Sequence, residues 1–282
     1  MNFIQSRCMK TILSCSLIFL LVSCVNGKER VYTASTPVAP VIRSFLKISA
    51  TDSIDFIRWK LTLLDNRYML QCNYGIGKPN TNGFLNGGTK IELSGELKKE
   101  AHLFLLQNEN KILALAELNA DLLHLLDTDK SLLIGNGGWS YTLNNVSPLL
   151  TDQVNMAALP AVLKDSTVFD GRTPCAVPGI INPGSPCYKI KWRITFYGNA
   201  KTNLPLSYKI LGTSWREENG KAGTWEIITS KTGKIMYRLN DKNGKAFIYL
   251  LKLDEHILVF TDADGKLLVG NEDFSYTLNR II

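Results

Sequence analysis

The chain has 282 residues, 45% of them hydrophobic and 20% charged, a globular profile that excludes a disordered or collagen-like polymer and leaves room for two ordinary domains. Lys and Arg exceed Asp and Glu by 32 − 25 = 7, for a sequence pI near 9.0. Three His and six Cys are too few for a His-rich metal enzyme or a multi-disulfide framework.

At the N-terminus Arg7 and Lys10 precede an apolar run, Thr11 to Val22. It has the length of a signal-peptide core and is shorter than the roughly 20 residues that span a bilayer. Leu21-Val22-Ser23-Cys24 follows. An apolar residue three places before a Cys, with a small residue directly before it, resembles the lipobox of bacterial lipoproteins. The resemblance implies cleavage before Cys24, acylation of Cys24 and a membrane anchor, with outer membrane favoured over inner because no Asp follows the Cys. An ordinary secretory signal cut a few residues later is the competing reading. Removal of residues 1–23 takes away two positive charges, leaving 7 − 2 = +5 on the mature chain. Residues 24–50 then read as the lipidated Cys and an extended tether, since Pro37 and Pro40 disfavour helix.

The remainder is one unit written twice. Ile112–Asn145 and Phe247–Arg280 align at a constant offset of 247 − 112 = 135, with 14 of 34 pairs identical. The identities include Asp127/Asp262, Asp129/Asp264, Gly135-Asn136/Gly270-Asn271 and the run Ser140-Tyr-Thr-Leu-Asn144/Ser275-Tyr-Thr-Leu-Asn279. Upstream, Arg58–Leu63 matches Lys191–Phe196, and Gly88-Thr89 matches Gly223-Thr224. A period this long predicts two tandem domains rather than a solenoid. The predicted first unit is 51–145, the linker 146–166 and the second unit 167–282.

Each unit reads as β. Ile190, Trp192, Ile194 and Phe196 alternate with polar residues at period two. Further runs at Ser207–Trp215, Gly223–Ser230, Lys234–Asn240, Phe247–Asp254, Ile257–Thr261 and Phe274–Arg280 are separated by Asn-Gly and Asp-rich turns. Closing such a meander into a barrel removes its edges. The fold class is therefore all-β, two tandem lipocalin-like antiparallel meander barrels. Thr151–Lys164 could hold a short helix, interrupted at Pro160.

Val168-Phe-Asp-Gly-Arg-Thr-Pro-Cys175, a strand with Trp192, Gly223-Thr-Trp225, and Leu253-Asp254 leading to Asp264-Gly265 and Tyr276-Thr-Leu278 resemble the N-terminal domain of the NlpE copper-homeostasis lipoproteins. The resemblance covers about 115 residues of the second unit well and about 95 of the first poorly. It implies a lipocalin-like barrel and a role in envelope stress sensing or copper adaptation through contact with an envelope protein. The family's Cys-x-x-Cys is not preserved, since position 178 is Pro178. In the first unit the corresponding segment, taken as Lys47–Ile57, lacks Cys.

Cys175 and Cys187 bracket a loop with two Gly and three Pro between them. In an oxidising envelope a disulfide is favoured, and a thiolate metal site is the alternative. Cys72 lies on an apolar strand and reads as a buried thiol; His124 and His256 read as structural. Asp262-x-Asp264-Gly265 brings Gly too early for a calcium loop and reads as a hairpin turn. No nucleophile elbow, His-Glu-x-x-His, P-loop or dinucleotide fingerprint is present. The reading is non-enzymatic, with no catalytic residues, cofactor or metal. Basic residues such as Arg58, Lys60, Lys189, Lys191 and Arg193 are spread along strand faces and predict a solvated surface rather than a nucleic-acid site. A carrier with a small apolar ligand in its lumen is the alternative function. Bulky candidates for the interior (Trp192, Phe196, Trp225, Tyr249, Phe260, Phe274) argue for a filled barrel instead.

Overall fold

A computed structural model describes residues 29–151, 154–155, 163–180, 186–215 and 220–281. The predicted signal peptide, Cys24 and most of the Thr151–Lys164 segment lie outside them. Two closed antiparallel barrels account for nearly all of the described chain. The first contains β1 (Arg30–Thr36), β2 (Phe56–Leu64), β3 (Arg67–Gly75), β4 (Thr89–Glu100), β5 (Leu103–Asn108), β6 (Lys111–Asn119), β7 (Leu122–Leu125) and β8 (Thr142–Asn145). The second contains β9 (Ser166–Thr173), β10 (Ile190–Asn199), β11 (Leu204–Gly212), β12 (Lys221–Thr229), β13 (Ile235–Asn240), β14 (Ala246–Lys252), β15 (Ile257–Thr261) and β16 (Thr277–Arg280). Every strand pairs with its chain neighbour, and β8 returns to β1 as β16 returns to β9. Both edges of all sixteen strands thereby find partners within their own barrel. Among the described residues no helix is long and apolar enough to cross a membrane.

The N-terminal boundary differs from expectation. Residues 30–46 are not tether: Arg30–Thr36 is the first barrel strand, and Pro40–Leu46 is a helix, α1. Tyr32 and Ala34 face inward, fully buried, so the segment carries the period-two pattern that its Pro-rich flank obscures. Pro40 opens α1 instead of preventing it, because the first helical turn needs no amide hydrogen at that place. Ile42, Phe45 and Leu46 of α1 are buried in the end of the first barrel.

The true register between the repeats follows from this. Ala34 pairs with Trp59 as Gly171 pairs with Trp192. The Trp59 indole donates to Thr36 Oγ1 at 2.8 Å, and the Trp192 indole donates to Thr173 Oγ1 at 2.9 Å. Each threonine precedes a proline, Pro37 or Pro174. The counterpart of the Cys175 segment in the first unit is therefore Ala34–Val38 and not Lys47–Ile57. Gly223 likewise corresponds to Gly95 rather than Gly88. Both lie within a strand against a tyrosine, Tyr208 or Tyr68, whose hydroxyl crosses to the Asn240 or Gln107 carbonyl at 3.0 or 3.1 Å.

Each barrel has its own core. Trp59, Tyr68, Phe104 and a set of leucines fill the first; Trp192, Phe196, Trp225, Tyr237 and Phe260 fill the second. Two expected interior residues lie elsewhere. Tyr249 points out toward the other barrel, and Phe274 sits on the loop before β16 against Tyr188, with ring centroids 6.2 Å apart.

A third core joins the barrels. Ala116, Leu118, Leu122, Leu126 and Leu132 of the first pack with Met236, Leu251, Leu253, Ile257, Val259 and Leu267 of the second. This is why β7 and β15 are buried at every position: one face fills a barrel and the other fills the junction. Polar contacts across the junction obey the repeat. Ser140 Oγ meets Ser275 Oγ at 2.6 Å, and Thr142 Oγ1 meets Thr277 Oγ1 at 3.0 Å. The Gly135 amide donates to Asn279 Oδ1 at 2.7 Å, and the Gly270 amide donates to Asn144 Oδ1 at 2.8 Å. Adding 135 to the first-barrel residue of either bond gives the second-barrel residue of the other, so the barrels meet about a local two-fold axis. The run of identity noticed in the sequence is this contact.

Candidate functional site

Cys24, the expected lipidation site, lies outside the described residues. Cys175 and Cys187 are brought together as a disulfide, with Cα atoms 6.0 Å apart. Both thiols are consumed, so the thiolate metal alternative is not the arrangement present. Among the described residues no group of three or more His, Cys, Asp or Glu converges as a metal site would require. Cys72 is a free thiol buried in the first core, and burial pushes its pKa well above the usual range. Asp262 and Asp129 behave as turn caps: Asp262 Oδ1 accepts the amides of Asp264 and Lys266 at 2.9 Å, and Asp129 Oδ1 accepts that of Ser131 at 2.8 Å.

The basic residues are more engaged than a solvated face would be. Arg58 reaches the second barrel, donating to Asp273 Oδ1 at 2.6 Å and to the Asn82 carbonyl at 2.8 Å. Asn82 donates to the other oxygen of Asp273 at 2.6 Å. Arg193 forms a two-pronged pair with Asp170 at 2.9 and 2.7 Å. Lys189 lies 5.4 Å over the Phe274 ring. Arg58 and Lys189 thus brace loops at the barrel ends.

No family model, curated protein or solved structure matches this chain.

The described residues of the disulfide loop, 175–180 and 186–187, lie at the mouth of the second barrel after β9, as α1 lies at that of the first. Val177 enters the core, while Ile180 and Cys187 pack against it. The Tyr276 hydroxyl meets the backbone at Ala176, and burial pushes its pKa up to about 12. Between the loop and the ends of β12, β14 and β15 lies a cleft of about 490 Å³. Its walls include Val177, Trp215, Phe247 and Phe260, with Lys221 and Lys245 at the edge. An aromatic chain leads outward from the core: Phe260 to Trp192 at 4.9 Å, Trp192 to Trp215 at 6.0 Å, and Trp215 to Phe247 at 6.5 Å between centroids.

Trp215, Lys221 and Phe247 were not singled out by the sequence reading. One signal was available. Lys221 shares the inward phase of its strand with Gly223 and Trp225 and sits opposite the fully buried Ile210. A charge in the apolar phase at a strand end marks a barrel mouth. Phe247 had no such signal, because an irregularity in the β13–β14 register between Leu239 and Asn240 breaks the alternation there.

By contrast the lumen is full. At the opposite end of the second barrel, the cavity among Phe169, Phe196, Trp225, Tyr237 and Lys252 holds about 30 Å³, the room of a single water molecule. Four of these side chains are aromatic, with neighbouring centroids 4.8 to 5.9 Å apart.

Proposed function

We propose that this chain is a non-enzymatic lipoprotein of the bacterial envelope, anchored by acyl chains on Cys24 and working through contact between its outer surface and an envelope protein. Outer membrane is its favoured location, and stress sensing or copper adaptation is the role implied by the NlpE resemblance. The observation that supports a contact role is the filled interior of both barrels. With Trp59, Tyr68 and Phe104 packed inside one, and Trp192, Phe196 and Phe260 inside the other, binding surface is available on the outside. The same filling weighs against a carrier with its ligand in the lumen. Acylation at one cysteine with more than one chain would make anchoring stable.

The test is complementation in the native host. Cells lacking the gene should be sensitive to copper or to envelope damage and be rescued by the wild-type chain, which should take up labelled palmitate. Cys24→Ala should lose the label and the rescue together. A wild-type chain that takes up no palmitate, or full rescue by Cys24→Ala, would refute the anchored reading. Equal tolerance of both stresses with and without the gene would refute the stress role.

A further inference from the structure

The two barrel mouths occupy equivalent places in a duplicated fold, yet they are finished differently. In the first, α1 drives Ile42, Phe45 and Leu46 into the opening. Its end is pinned by Lys111 donating to the Ser44 carbonyl at 2.6 Å and Asn108 donating to the Phe45 carbonyl at 3.3 Å. In the second, Val177 is the fully covered apolar side chain among the described residues of the disulfide loop, and a 490 Å³ cleft lies beside it. That volume lies within the range of small-molecule sites, roughly 300 to 1,000 Å³.

The chemistry of the cleft is uneven in a specific way. Its floor is apolar and aromatic. Lys221 Nζ stands 4.5 Å over the Phe247 ring and 5.8 Å from that of Trp215, and forms no ion pair with a carboxylate among the described residues. Two carboxylates, Asp241 and Asp262, also line the cleft; Asp241 is stabilised first by the Lys245 amide and further by the charges of Lys221 and Lys245, and its Oδ1 accepts the amides of Asn243 and Lys245 at 2.9 Å each. Lys245 is exposed on the same rim. A cation held against aromatic rings keeps its charge while giving up part of its water shell, which favours an anion carried on a flat apolar body.

We propose that this cleft binds a small anionic amphiphile, its apolar body against Trp215 and Phe247 and its acidic group at Lys221 and Lys245. The site goes beyond the contact role above and does not depend on it, because it lies at the mouth and not in the lumen.

The probe is 1-anilinonaphthalene-8-sulfonate, titrated into the full two-barrel chain at neutral pH, with N-phenyl-1-naphthylamine as its uncharged analogue. Saturable one-to-one binding with energy transfer from tryptophan is expected. Lys221→Gln should weaken the sulfonate about tenfold, in the range of one charge-assisted contact, and leave the neutral analogue unchanged. Phe247→Ala should weaken both probes by about tenfold or more. Lys221→Gln changes a partly exposed side chain, so it remains informative if Phe247→Ala does not fold, and near-ultraviolet dichroism checks both. Displacement of the probe by decanoate would assign a carboxylate head, and displacement by dihexanoyl phosphatidic acid a phosphate head. Non-saturable binding, equal weakening of both probes by Lys221→Gln, unchanged binding in natively folded variants, or displacement by neither competitor would overturn the proposal.

Discussion

The burial of His124 predicts that stability at the junction between the barrels falls in acid. Its side chain is fully buried. Nε2 lies 2.9 Å from the Leu133 carbonyl and Nδ1 lies 2.9 Å from Thr142 Oγ1. A carbonyl can only accept, so the proton sits on Nε2 and Nδ1 accepts from Thr142. Thr142 Oγ1 is then free to accept from Thr277 across the two-fold axis. The neutral ring thus uses both nitrogens, and a second proton would place a charge where water cannot reach. Burial pulls the pKa down from 6.5 to about 4, with the Leu133 carbonyl partly opposing. Because the folded-state value is the lower one, the unfolded chain binds the proton more readily. Stability is therefore fully present above about pH 6.5 and is lost progressively toward pH 4. Between pH 7.5 and 4.5 the loss from this one group is about 2 to 3 kcal/mol.

The control is His124→Val, since Val259 holds the equivalent place in the second barrel. The variant leaves the Leu133 carbonyl without its ring donor and should cost about 1 to 2 kcal/mol at neutral pH. Urea unfolding followed by tryptophan fluorescence, repeated down the pH series, should give the wild type the steeper dependence by about 2 to 3 kcal/mol. Parallel pH dependences in the two proteins would refute the assignment of a neutral, buried His124.

Replacing Cys175 and Cys187 together by Ser should lower stability by about 3 kcal/mol on the chain-entropy account of a loop this short; an unchanged midpoint in denaturant would show that the loop contributes nothing. Ser140→Cys combined with Ser275→Cys should cross-link the barrels on mild oxidation, since the hydroxyl oxygens stand 2.6 Å apart, and a pair that stays reduced under non-reducing electrophoresis would contradict the docking. Gly135→Ala should destabilise by about 2 kcal/mol or more, because its Cβ would run into the Trp139 carbonyl and lie 2.8 Å from Asn279 Nδ2. Chemical denaturation measures it, and a neutral effect would mean that the junction is looser than described.

What could be read from the sequence was local. The alternation from Ile190 to Phe196 gave β10, the run Ile257–Thr261 coincides with β15, and Asp262 gave its turn. The repeat gave two barrels, because identical spacing demands identical packing. What could not be read depends on distant partners. Arg30–Thr36 looked like tether because Thr, Ser and Pro dominate it, and its strand character is secured by pairing with β2 and, at Tyr32, with Asn145. The junction leaves two traces, the identical runs Ser140–Asn144 and Ser275–Asn279 and the apolar residues on both faces of Leu122–Leu125 and Ile257–Thr261, but neither shows that the two segments meet. The cleft escaped notice because Trp215, Lys221 and Phe247 come from three separate segments and meet only when the barrel closes.

An interface that pairs a segment with its own copy is restrictive when the copies are separate molecules, since every change is then felt on both sides at once. Tethering the copies in one chain lifts that restriction. Ser140 and Ser275 still match, yet His124 faces a world that Val259 does not, and a helix stoppers one mouth where a cross-linked loop leaves the other ajar. Duplication here has a division of labour as its consequence: one half is free to serve as a solid support while the other acquires an opening.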